Sequence, residues 1–91
     1  MFLAKVVGNV VSTQKDEKFV GTKLLIVKKM DENRQLIGES LVAIDTVGAG
    51  NGEIVLVVTG SGARYVDTSE RVIPSDASII GIVDSVEVTD S

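Results

Sequence analysis

The chain has 91 residues, a formal net charge of −4, and neither histidine nor cysteine. That length makes one small domain, residues 1–91, and the missing side chains remove the commonest neutral-pH general base, the commonest nitrogen ligand for zinc, disulfides and thiolate metal sites. Negative charge repels phosphate backbones, and Phe2, Phe19 and Tyr65 are too few to build a base-stacking platform, so generic nucleic-acid binding is disfavoured.

Taken in chain order, Phe2–Gln14 reads as a long strand. Gly8 interrupts it, as a glycine does at a bulge or a barrel bend. Met1–Lys5 meets a charge and has no small-residue cleavage site, so no signal peptide is expected. Lys15-Asp16-Glu17-Lys18 is a solvated turn, and Thr22–Met30 is the second strand, with lysines near its ends that protect an edge. Asp31–Gln35 is a polar turn whose Asp-x-Asn-x-Gln spacing lacks the glycine and terminal glutamate of a calcium loop. Leu36–Glu39 leads into the third strand.

The centre of the chain is Leu41–Arg64. Two β-branched runs, Leu41–Val47 and Ile54–Thr59, flank Gly48-Ala49-Gly50-Asn51-Gly52, which makes a hairpin or a sharp corner with almost no side-chain bulk at its tip. A dinucleotide fingerprint needs Gly-x-Gly-x-x-Gly opening a helix; here Gly-x-Gly-x-Gly is followed by Glu53 and a strand. Ser61 is placed to cap a helical turn through Tyr65. It has no histidine to make it a nucleophile. Val66–Val72 reads as loop, Ser75–Ser78 as one helical turn after Pro74, and Ile79–Val88 as the last strand, with Gly81 echoing Gly8. No apolar run approaches the ~20 residues that span a bilayer.

These elements predict an all-β fold: a small five-stranded antiparallel barrel with one or two short helical turns. Several strands are apolar on both faces, and a domain this small buries only one of them. The second face is expected to meet another subunit.

Val42–Gly50, Gly52–Val57 and Gly60–Arg64 closely resemble the pentameric shell-vertex family of bacterial microcompartments, which closes carboxysomes and ethanolamine-utilisation compartments. Val6–Lys15, Val20–Val27 and Pro74–Asp84 extend the resemblance over nearly the whole chain in the same order. Gly62, Ser75 and Ser78 depart from the usual residues. The resemblance implies an oligonucleotide-binding-like barrel and a structural, non-enzymatic role. It implies a homopentamer in the cytoplasm, set among hexameric shell proteins of the same compartment, with no cofactor and no membrane partner. It further implies that Gly48, Ala49, Gly50 and Asn51 surround a central opening. Glu53 and Arg64 are expected to fix loop and interface geometry through charged hydrogen bonds, and Asp45 is expected at the same interface.

Two other readings compete. One is a nucleic-acid or nucleotide-binding barrel, favoured by strand count and opposed by charge. The other is a hydrolase with a carboxylate pair drawn from Asp45, Glu53 and Asp84, which requires two of them in one cleft.

Overall fold

In a computed structural model, the described residues are 1–11, 23–60, 65–66, 72–73 and 77–89. β1 (Phe2–Asn9) and β2 (Lys23–Met30) form an antiparallel pair. Each alternates an inward apolar residue with an outward one, the period that the pleat imposes. Ala4, Val6, Leu25 and Val27 are buried, while Lys5, Val7 and Lys28 face out.

A tight turn joins β2 to β3 (Leu36–Asp45). The Asp31 carboxylate caps it, accepting the N–H groups of Asn33 at 2.8 Å and Gln35 at 3.0 Å. Arg34 takes the left-handed conformation, φ 64°, that closes the turn. A side chain that accepts backbone N–H groups two and four residues on needs no calcium to organise it.

β4 (Ile54–Thr59) and β7 (Ala77–Val83) complete a closed barrel in the order β1-β2-β3-β7-β4, with β4 pairing back to β1. The pairings are antiparallel except β3–β7, which is parallel and confined to Ile44–Ser78 and Asp45–Ile79. Closure removes the exposed edges that would template aggregation. The core is aliphatic, built from Ala4, Val6, Leu25, Val27, Ala43, Val55, Val57 and Ile79, with Phe2 and Leu41 packed against it. Lys29 lies over the Phe2 ring, 5.3 Å from its centroid.

Both glycine-interrupted strands are irregular. The β1–β2 register shifts between Val6 and Gly8, and β4 shifts against β7 between Leu56 and Val57, opposite Gly81 and Ile79. These two strands flank β4 and do not pair with each other.

Several expected boundaries move. The first strand ends at Asn9 and the last at Val83, while Leu36–Glu39 belongs to β3 itself. Tyr65–Val66 (β5) pairs with Val72–Ile73 (β6), so a small ribbon replaces part of the expected loop. Ala77 and Ser78 open β7 and do not end a helical turn, because ladder partners Thr59 and Val58 on β4 claim their backbone. The other residues expected in helical turns, 61–64 and 75–76, lie outside the described residues.

Candidate functional site

β3 and β4 do not form a hairpin, because β7 lies between them in the barrel. The intervening glycine-rich segment is therefore a corner. It runs across one mouth of the barrel, from the end of β3 to the start of β4, touching β2 and β1 on the way.

Asp45, the last residue of β3, shares the inward face of Ala43 and is 5% exposed. A carboxylate is costly to bury unless its oxygens are satisfied. Here Oδ1 accepts the N–H of Val47 at 3.0 Å and Oδ2 accepts that of Ala49 at 2.9 Å. Charge-assisted bonds of this kind are roughly twice as strong as neutral ones. They pull the chain back over the barrel mouth and press the Ala49 methyl inward. Ala49 is 0% exposed and belongs to the core cluster. The tip is thus not free of side-chain contacts: one methyl plugs the barrel.

Three further ties hold the loop. Lys23 Nζ on β2 donates to the Ala49 carbonyl at 2.9 Å. The Gly50 N–H donates to Glu53 Oε1 at 2.7 Å, and the Glu53 N–H returns to the Gly50 carbonyl at 3.1 Å. The Gly52 N–H donates to the Val6 carbonyl at 2.8 Å, and the Val6 N–H donates to the Glu53 carbonyl at 2.9 Å, stitching the loop exit to β1. Gly48 and Gly52 have φ of 83° and 86°, where a Cβ is sterically penalised. Gly50 has an ordinary φ, and an added Cβ there would sit 3.4 Å from Glu53 Oε1.

The structure thus brings Asp45, Gly48, Ala49, Gly50, Asn51 and Glu53 into one braced loop. Ala49 anchors it from inside, while Gly48 and Asn51 are exposed and Gly50 is half-buried. Arg64 lies outside the described residues, as does Ser61. Of the three candidate hydrolytic carboxylates, Asp45 is occupied by two backbone donors and Glu53 by one. Asp84 follows Val83, the ladder partner of Ile54, so it leaves the sheet beside Glu53. Both are exposed at a strand end. Among the described residues, no group of three or more carboxylates is arranged to hold a metal ion, and no helix is long and apolar enough to cross a membrane.

Two contributors were not readable from the chain. Lys23 lies 26 positions from the carbonyl it holds, and Val6 acts only through its backbone. Asp45 did carry a signal, since an Asp just before a turn commonly accepts N–H groups ahead of it.

The family model described as "Ethanolamine utilisation protein EutN/carboxysome" matches residues 1–84. The chain belongs to this EutN/CcmL family. It is 51% identical over 87 residues to the bacterial microcompartment shell vertex protein GrpN of Rhodospirillum rubrum, covering 96% of this chain and 97% of that one. The carboxysome shell vertex protein CcmL of Synechococcus elongatus is 49% identical over 89 residues, covering 97% and 88%. Solved structures agree. The pentameric microcompartment shell protein GrpN superposes with a TM-score of 0.83 at 49% identity over 99% of this chain and all of that one. CcmL of Gloeobacter violaceus gives 0.86 at 44% identity over 97% and 90%. The glycine loop therefore sits in an EutN/CcmL barrel, and neither the competing nucleotide-binding nor the hydrolytic reading gains support from these relatives.

Proposed function

We propose that this EutN/CcmL-family chain is a structural subunit that assembles into homopentamers and caps the vertices of a bacterial microcompartment shell in the cytoplasm. The observation that carries the reading is the end-to-end match to a pentameric shell protein. Hexagonal tiles alone make a flat sheet, and pentagonal units supply the curvature that closes it. A ring is a heterologous interface that closes on itself.

Exposed apolar residues supply the material for such an interface. Val42 on β3 is 51% exposed, and Ile80 and Ile82 on the adjacent β7 are each 38% exposed. In this reading the outer surface of the loop, Gly48, Gly50 and Asn51, faces the ring axis. Backbones crowd there without Cβ clashes. Ala49 anchors the loop from within, Asp45 and Glu53 set its shape, and Arg64 contributes to the subunit contact. The partners are copies of the same chain and hexameric shell proteins, and the role is mechanical, not catalytic.

Mass measurement in native buffer at micromolar protein tests the ring, and a stable monomer or dimer contradicts it. Gly50→Val tests the loop. The barrel is expected to fold, because the position does not require a left-handed conformation, while ring formation is impaired. Undiminished pentamer removes the axial assignment. Co-purification with hexameric shell proteins tests the vertex role.

A further inference from the structure

On the outer face of the β1–β2 ladder, Lys5 stands directly opposite Lys28. Like charges at paired positions destabilise a sheet. The chain as a whole is acidic, at −4, so a paired basic locus runs against its average. Among the described residues neither ammonium makes an ion pair. The surroundings are apolar: Val7 on β1 is 46% exposed, and Ile26 on β2 is half-buried. Among the described residues, the face therefore presents two cations without a carboxylate partner beside a patch of exposed hydrocarbon.

The segment after β7 has the complementary composition. Asp84-Ser85-Val86-Glu87-Val88-Thr89 mixes carboxylates with β-branched residues and carries no lysine or arginine. Asp84 and Glu87 are exposed, and Val88 is 54% exposed. The segment belongs to no strand, and its carboxylates make no ion pair among the described residues. Its own Lys5 is not far away, since Lys5 pairs with Ile54, and Ile54 with Val83. Two strand spacings, about 10 Å, separate Val83 from Lys5. Among the described residues no ion pair joins the tail to that lysine, and Val86 is half-buried.

We propose that the Asp84–Thr89 segment of one copy docks on the Lys5/Lys28 face of the next copy around the ring. Asp84 and Glu87 neutralise the two lysines, and Val86 and Val88 cover Val7 and Ile26. The contact joins two different surfaces, as a cyclic assembly requires. It rests on the pentameric reading, and it adds which surface meets which. Repulsion between like charges also suppresses the symmetric lysine-on-lysine pairing that would give a closed dimer.

The experiment is charge reversal read by native mass spectrometry, with far-UV circular dichroism confirming that the barrel is folded. Lys5→Glu/Lys28→Glu and Asp84→Lys/Glu87→Lys each raise the concentration for half-assembly by roughly tenfold or more. Combining all four substitutions in one chain restores assembly toward that of the unmodified protein. Mixing the two defective variants also restores rings, but incompletely, because an odd-numbered ring of two alternating types retains one mismatched junction. Unchanged assembly of both double variants overturns the proposal. So does recovery in the fourfold variant without recovery on mixing, which means that the tail seats on its own barrel. If Lys5→Glu/Lys28→Glu leaves rings intact but abolishes co-purification with hexameric shell proteins, the face belongs to that acidic partner and the proposal falls. Should the unmodified protein itself be monomeric, the pentameric reading fails first. The two failures are therefore distinguishable.

Discussion

Asp45 carries the glycine loop. Its carboxylate is buried and is spent entirely on the Val47 and Ala49 N–H groups. Asp45→Ala leaves those donors without an acceptor, at an expected cost of about 1–3 kcal/mol. Urea denaturation at fixed protomer concentration reads that loss, and an unchanged midpoint refutes it. Asp45→Asn is expected to rescue little, because its NH2 group would face one of the two donors. Ala49 makes a second residue-scale prediction. Its methyl already fills its place in the core, so Ala49→Leu overpacks the barrel mouth and destabilises by about 1–3 kcal/mol. An Ala49→Leu protein as stable as the original, by the same denaturation, excludes the plug. The glycines around it were legible as special positions, and Gly48 and Gly52 do need positive φ. Ala49 is indistinguishable in the sequence from the rest of the low-bulk tip, because nothing local marks an alanine as core.

At the scale of elements, β7 decides how the loop is used. By lying between β3 and β4 it converts what reads as a hairpin into a corner over the barrel mouth. Its residues have two fates. Ile79 is fully buried and lies opposite Val57, while neighbouring Ile80 is 38% exposed. Ile79→Ala is expected to cost about 2–5 kcal/mol of protomer stability through the cavity it leaves. Ile80→Ala is expected to change protomer stability by no more than ~0.5 kcal/mol yet to weaken ring assembly. Denaturation and native mass, measured on both variants, separate the two roles, and equal effects on stability would contradict the division. Strand identity was legible because β-branched runs alternate or stay apolar between turn residues. The β5–β6 ribbon was not, since two-residue pairings leave no periodicity to read.

At the scale of the whole molecule, exposed hydrocarbon on β3 and β7 and the Lys5/Lys28 pair on β1–β2 lie on different parts of the barrel surface. That arrangement suits a subunit with a neighbour on either side. If assembly stabilises the folded protomer, the thermal midpoint rises with protein concentration, because an associated state that binds only folded chains draws unfolding backward. Calorimetry over a hundredfold concentration range checks this, and a constant midpoint contradicts it. Curvature is then a property of the ring, produced by how copies meet and not by any single residue.

Composition and local pattern by themselves determined the strand content, the glycine bends at Gly8 and Gly81, the weakness of catalytic and phosphate-binding readings, and the surplus of apolar faces. All of these follow from side-chain chemistry and short-range sterics, which act over a few residues. Tertiary structure decided that β3 and β7 run parallel, that Ala49 enters the core, and that Lys23 and Val6 hold a loop far along the chain. It also set the two lysines face to face. Those outcomes depend on which strands become neighbours and in what register. Both are settled by how one closed barrel buries all of its inward side chains at once, and no short window of sequence contains that condition.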